Sequence, residues 1–335
     1  MDSISQLALG AAVGVAVMGR RSAVWKAALA GGIAGTLPDL DAFIDHGNAV
    51  ANMTYHRAES HALFWLTLAS PLVAALVSRV AGEADRFRRW WLALWLALVT
   101  HPLLDTLTIY GTQLLLPFTD HPFGVGSIFI IDPLYTVPLL IGLAGAVARG
   151  RGHGGLRWNA WALGLSTAYL AWSVGAQAHV RALAQDELAA AGRPAEHLLV
   201  TPTPFNTVLW RIVAMRDGGY EEGFHSLLDG RPIRFERFAS DRALERELQD
   251  LWPVQRMQWF THGFYRMQRQ GDAAYITDLR MGQEPNYSFN FRVGRREGGR
   301  WEAVPAQNRG ARGDLGAGLR WLWRRMGGED LPPPR

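Results

Sequence analysis

The rhythm of hydrophobic and polar positions changes once along the chain. Up to Ala178 apolar residues gather in long runs separated by short polar loops, and beyond it they alternate with polar ones over short stretches. Residues 158–178 carry no charge and 127–148 have only Asp132 near their start. Both reach the ~20 residues with which a helix crosses a bilayer. Residues 62–78 and 90–104 come close, the second interrupted only near its end by His101. Residues 4–19 and 27–37 are shorter and rich in glycine, which suits tightly packed or re-entrant helices.

In the second part, 206–215 and 287–293 alternate as half-buried strands do. Ser240 and Asp241 predict the cap of a short helix running to Leu251 before Pro253. Gln270-Gly271-Asp272 predicts a hairpin turn between 255–269 and 273–281, and 316–326 an amphipathic helix. The expected fold is a membrane all-α N-terminal domain, 1–179, of about six transmembrane or re-entrant helices. It is followed by a smaller soluble α+β C-terminal domain, 180–330, and a proline-rich disordered tail, 331–335.

Charge sharpens this division. Residues 1–180 hold 11 of the 34 basic and 10 of the 30 acidic side chains. The basic balance comes from arginine, with Lys26 the one lysine, and no basic run interleaved with aromatics suggests a nucleic-acid partner. The first apolar run lacks both a basic n-region and a small-x-small cleavage site, so it is expected to be a retained helix. Arg20, Arg21 and Lys26, then Arg79, Arg86, Arg88 and Arg89, then Arg149, Arg151 and Arg157 fall in alternate loops, which should face the cytoplasm. This threading, that of a multi-pass protein of a bacterial inner membrane, leaves most of the acids and His46, His56, His61, His101 and His121 on the opposite face. The C-terminal domain follows an even number of crossings and is expected on that face too.

Zero cysteines exclude disulfides and thiolate metal sites, so a metal must rest on histidine and carboxylate. His101-Pro-Leu-Leu-Asp105 puts an imidazole and a carboxylate on one helix face, where they either grip an ion or simply tie two helices together. His56 and His61 flank the start of an apolar helix, with Arg57 and Glu59 between them. Leu37-Pro38-Asp39-Leu40-Asp41 offers two carboxylates where a proline breaks a helix. Each group alone also has a structural explanation; their placement on one membrane face favours a shared site. Asp120, His121 and Asp132 extend the set, whereas His197, His225 and His262 are scattered and read as ordinary core or surface residues.

These residues, in their order and spacing, resemble the YdjM-like family of membrane-bound metal-dependent hydrolases. The likeness runs through Met1-Asp-Ser-Ile-Ser-Gln6, Ala34-Gly-Thr-Leu-Pro-Asp-Leu-Asp41, His56-Arg57 with Ser60-His61, Thr100-His-Pro-Leu-Leu-Asp105, Tyr110-Gly-Thr-Gln113 and Gly126-Ser-Ile-Phe-Ile-Ile-Asp-Pro-Leu-Tyr135. It implies metal-dependent hydrolysis and a distant kinship with zinc phospholipase C and zinc nucleases, which cut phosphodiesters. It also implies Asp39, Asp41, His56, His61, His101, Asp105 and Asp132 as metal-binding residues, with Asp2 and Gln6 as weaker additions. Ala58-Glu59 departs from the glycine-aromatic pair usual at that place. The expected chemistry uses one to three divalent ions, zinc first among them, with Asp41 or Glu59 as base and Arg57 stabilising the developing charge. A site among membrane helices favours a membrane lipid or lipid-linked phosphate as substrate. The rival reading is a non-catalytic membrane protein, a metal transporter or scaffold, that uses the cluster as an ion site.

Overall fold

Every long apolar run contains a helix. In the computed structural model, which describes residues 1–150, 153–311 and 313–335, these are α1 (Ser3–Met18), α2 (Val24–Thr36), α4 (Leu63–Val80), α5 (Phe87–Thr106), α6 (Pro133–Arg149) and α7 (His153–Ala190), with a short α3 (Ala49–Tyr55) between α2 and α4. Arg151, assigned above to a cytoplasmic loop, lies outside the described residues. Asp2 starts α1 by accepting from the backbone amides of Ile4 and Ser5, both at 3.1 Å. Asp132 caps α6, whose first residue, Pro133, has no amide proton to leave unpaired.

Two of these helices pack unusually closely. Gly10 and Gly14 of α1 meet Gly31 and Gly35 of α2, and a Cβ on Gly10 would stand 2.3 Å from the carbonyl oxygen of Gly31. Residues four apart share a helix face, so the four glycines form one seam on which the backbones touch. Trp90, Leu94 and Leu98 of α5 fill the neighbouring core with Val15, Met18 and Val24, while Tyr135 and Leu139 of α6 pack with Ala8 and Ala12. This arrangement sets Gly35, near the C-terminal end of α2, beside His101 in the last turns of α5.

The six expected membrane segments fare differently. Among the described residues, Ser3–Arg21 and Leu63–Val80 are long and apolar enough to cross a bilayer, and Pro133–Arg149 is a shorter apolar helix. The 13 residues of α2 rise only about 20 Å, α5 has arginines in its first turn, and 127–131 are not helical because the cap at Asp132 begins the helix later than the apolar run does.

The chain divides into two compact units, one of 1–44, 56–174 and 204–206, the other of 45–55, 175–203 and 207–335. Helix α7 contributes to both and runs unbroken through residues 179 and 180. The second unit is rich in β-structure. One antiparallel sheet orders β1 (His197–Pro202), β2 (Leu209–Arg216), β3 (Gly219–Ser226) and β4 (Phe235–Ala239) in sequence. Helices α8 (Arg242–Leu248) and α9 (Trp252–Phe260) follow, then β5 (Tyr265–Gln270), β6 (Ala273–Asp278), the short pair β7 (Gly282–Gln283) and β8 (Asn286–Tyr287), β9 (Asn290–Glu297), β10 (Arg300–Asn308) and α10 (Leu315–Met326). The second sheet runs β10-β9-β6-β5.

Several expectations shift here. Asp241 caps α8 through the amide of Leu244 at 2.9 Å, while Ser240 Oγ accepts from Met267 N of β5. Pro253 opens a helix instead of only ending one, so 255–260 is helical and the hairpin's first arm starts at Tyr265. The expected strand 287–293 is split between β8 and β9. The tail 331–335 has no regular structure, yet it is not loose: Trp321 Nε1 donates to Leu331 O at 3.2 Å, and Arg335 Nη1 to Glu222 Oε2 at 3.0 Å.

The glycine seam gives a direct test. Gly10→Val forces α1 from α2 and should lower stability by at least the ~1–3 kcal/mol of overpacking, seen as a drop in Tm of the detergent-purified protein. Gly164→Ala on α7, where a Cβ meets nothing within 4 Å, should leave Tm unchanged or raised.

Candidate metal centre

Three pieces of chain bring their side chains to one point: the 3-10 turn Pro38–Phe43 that follows α2, the 3-10 turn Glu59–His61 that leads into α4, and the last turns of α5. On α5 His101 and Asp105 are four residues apart and share a face, as their spacing requires. Asp39, His61, His101 and Asp105 each offer one donor atom to a common group. His61 Nε2 lies 3.0 Å from His101 Nε2, 3.5 Å from Asp39 Oδ1 and 3.4 Å from Asp105 Oδ2. His101 Nε2 lies 3.4 Å from both Asp39 Oδ1 and Asp105 Oδ2. Five edges of a tetrahedron are thus nearly equal and the sixth, between the two carboxylates, is within 4.8 Å. A point equidistant from corners so spaced lies roughly 2.0–2.4 Å from each, close to a Zn–N or Zn–O bond.

The hydrogen bonds behind the ligands decide where their protons sit. His101 Nδ1 is 2.6 Å from the carbonyl oxygen of Gly35, which only accepts, so Nδ1 donates and Nε2 presents a lone pair. His61 Nδ1 is 2.8 Å from Ser60 Oγ, which itself donates to Asp41 Oδ2 at 2.6 Å. The hydroxyl's one proton is committed to the carboxylate, so His61 Nδ1 donates to the hydroxyl and Nε2 again faces inward bare. Asp105 Oδ2 is buried with no hydrogen-bond partner. With His61 neutral, as a bound metal requires, four atoms bearing lone pairs point at one another, and the two carboxylate charges match one divalent cation.

A further ring of contacts holds this group. Asp41 Oδ1 accepts from His56 Nδ1 at 2.9 Å, and its Oδ2 accepts from both Arg57 N, at 2.9 Å, and Ser60. Asp105 Oδ1 accepts from the Met1 amino group and from Gln6 Nε2 at 3.0 Å, with Arg57 Nη2 at 3.3 Å. The Arg57 guanidinium also lies over the Tyr110 ring, 4.9 Å from its centroid, and donates to Thr108 Oγ1 at 3.3 Å. Its backbone is left-handed, φ +64°, a strained choice for a side chain this size and one that tight sites tolerate.

Burial alone would favour the neutral acid at Asp39 and Asp41. The imidazoles beside them outweigh it, His101 and His61 for Asp39 and His56 and His61 for Asp41, and hold both well below the usual carboxylate range. For His61, burial opposes the charged form, but the carboxylates of Asp105, Asp39 and Asp41 raise its pKa to about 9 in the metal-free protein.

Of the residues named from sequence, Asp39, His61, His101 and Asp105 form the four-donor group. Asp41, His56 and Arg57 stand directly behind or beside it. Asp132 is elsewhere: its Oδ1 caps Leu134 N at 3.0 Å and its Oδ2 accepts from Tyr169 Oη at 2.8 Å, so α6 consumes the carboxylate. Glu59 is exposed on its turn, and the side chains of Asp120 and His121 are exposed too. Arg57 pairs with Asp105, not with its neighbour Glu59. Ser60 and the Gly35 carbonyl had no role assigned from sequence; the position of Ser60 next to His61 was its one visible signal, and a backbone carbonyl leaves none.

Ser60→Ala should weaken zinc binding ~10–100-fold by freeing the His61 tautomer, with Ser60→Thr restoring most of it, in competition against a chelator. The same titration has a pH sign. A histidine with raised pKa stabilises the metal-free fold fully below its ordinary value of 6.5, a contribution lost as pH rises through about 9. A metal must displace that proton, so apparent zinc affinity should climb between those two values.

Comparison with known proteins agrees with the N-terminal half. The sequence model of the YdjM inner membrane protein family matches residues 1–180. The chain is 30% identical over 154 residues to the uncharacterized protein YfhP of Bacillus subtilis (strain 168), which covers 43% of this chain and 46% of YfhP, so it spans less than half of that relative. No solved structure matches. With its matched region carrying the whole four-donor group, the chain belongs to the YdjM family of inner membrane proteins.

Proposed function

We propose that this protein is a membrane-bound metal-dependent hydrolase cleaving a phosphoester or phosphodiester of a lipid or lipid-linked substrate at the outer membrane face. Zinc would be held by Asp39, His61, His101 and Asp105. The observation that carries this reading is the convergence of two imidazole nitrogens and two carboxylate oxygens at a spacing that suits a tetrahedral ion, an N2O2 set that suits zinc better than the oxygen-rich shells of calcium or magnesium. When bound, such an ion acidifies a water molecule and polarises a phosphoryl oxygen.

The chain's own residues supply the rest. His56 donates from Nδ1 to Asp41, which leaves Nε2 as a proton acceptor on a side chain still 22% exposed. It is a better base than Asp41, whose oxygens are already engaged by three donors, or than Glu59, which is exposed on its turn. Arg57 is committed to Asp105 Oδ1, so it keeps Oδ2 turned to the centre. Asp39 is the one ligand with appreciable exposure, 21%, and marks the side from which substrate arrives. The proposal includes six membrane-embedded segments and an extracytoplasmic site, which the alternating basic loops support.

One observation favours a second reading, a structural clamp without turnover. Four protein donors complete a tetrahedron, and the side chains of His61, His101 and Asp105 are 0% exposed, as in closed zinc sites. Zinc-loaded protein assayed on phosphodiesters and phospholipids in detergent separates the two. Catalysis predicts that His56→Ala keeps its zinc and loses ~100- to 10,000-fold in kcat. A clamp predicts no turnover in any variant and a lowered Tm when zinc is stripped.

A further inference from the structure

A 3-10 helix has three residues per turn, so positions three apart lie on one face. In the turn Pro38–Phe43 that face rule separates two jobs. Pro38 and Asp41 take the buried side, with Asp41 in the metal centre's hydrogen-bond ring, whereas Leu40 and Phe43 are 56% and 86% exposed, and the adjoining Ile44 is 56% exposed. Singly exposed apolar residues are ordinary, but three within five residues, on the segment that supplies two site carboxylates, make a patch.

The other carrier of the site says what covers such a patch. The turn Glu59–His61 passes straight into α4, where Phe64, Leu68, Leu72, Leu76 and Val80, spaced by four, are 42%, 61%, 75%, 64% and 81% exposed. This stripe runs along a helix long and apolar enough to cross a bilayer. It rises about 24 Å, most of the ~30 Å of hydrocarbon in a membrane. Its first member, Phe64, follows His61 by three residues and makes an edge contact with Phe118, itself 78% exposed. The metal centre therefore sits at one end of an exposed apolar stripe.

We infer that Leu40, Phe43 and Ile44 dip into the bilayer at the mouth of the metal centre, continuing the α4 stripe. The bilayer thereby presents long-chain amphiphiles to the site sideways, hydrocarbon along these side chains and polar head toward Asp39 and His56. The immersion rests on the exposures alone; the use of the head group rests on the hydrolase reading above.

The chain has no cysteine, so Phe43→Cys offers one attachment point for a nitroxide. The full-length protein in phosphatidylcholine nanodiscs is then examined by power-saturation electron paramagnetic resonance with oxygen and a nickel chelate. The label should favour oxygen over nickel, as one at Leu72→Cys does, and unlike one at Asp272→Cys in the β5–β6 turn. Access to nickel equal to that of the Asp272→Cys label would overturn the inference. So would exclusion of both reagents with dipolar broadening, which means that a second copy of the chain covers the patch. In an activity arm, Phe43→Ser should lower the ratio of turnover on long-chain phospholipid to that on a short water-soluble phosphodiester roughly tenfold. Absence of turnover on both substrates with the label immersed counts against hydrolysis and leaves the immersion standing; an unchanged ratio removes the role in holding hydrocarbon chains.

Discussion

Two imidazole nitrogens and two carboxylate oxygens held within 4.8 Å of one another in a buried space repel unless a proton or a cation stands among them, and this is the constraint around which the N-terminal unit is arranged. Two of the four atoms belong to carboxylates and two to imidazoles whose outer nitrogens are tied to Gly35 and Ser60. A proton can partly satisfy the group, and the raised pKa of His61 expresses that. A divalent ion satisfies it better, because it meets all four corners at once.

The rest of the unit keeps those corners in place. The glycine seam lets α1 and α2 touch, and that contact sets Gly35 beside His101 and delivers Asp39 and Asp41 from the turn that follows. Asp41 then works as a hub: through His56, the Arg57 amide and Ser60 it fastens the loop before α4 to the turn after α2. Arg57 and Gln6 hold the far oxygen of Asp105. One polar site thus joins four elements, which makes its geometry and the helix packing mutually dependent.

Much of this was legible in the sequence, for physical reasons. The spacing of His101 and Asp105 is a helix-face signal, and the proline after Leu37 marks a helix end where carboxylates emerge. Asp132 shows the limit: its place before Pro133 suits a helix cap as well as a ligand, and only the partner Tyr169 tells them apart. Glu59 and Asp41 differ in burial, which a loop sequence does not encode. The ends of the membrane-embedded helices are less legible, since α2 is short and the apolar run from Ser127 starts outside its helix. In the second unit the alternation located β-structure, but the start of α9 at Pro253 and the tether at Arg335 depend on contacts distant in sequence.

X-ray absorption at the zinc edge of the purified full-length protein reaches the central claim most directly. The account predicts about one zinc per chain with four light ligands at about 2.0 Å, two of them showing the outer-shell scattering of imidazole. Protein that folds and stays zinc-free with zinc supplied, or zinc in a six-oxygen shell without imidazole, would contradict it.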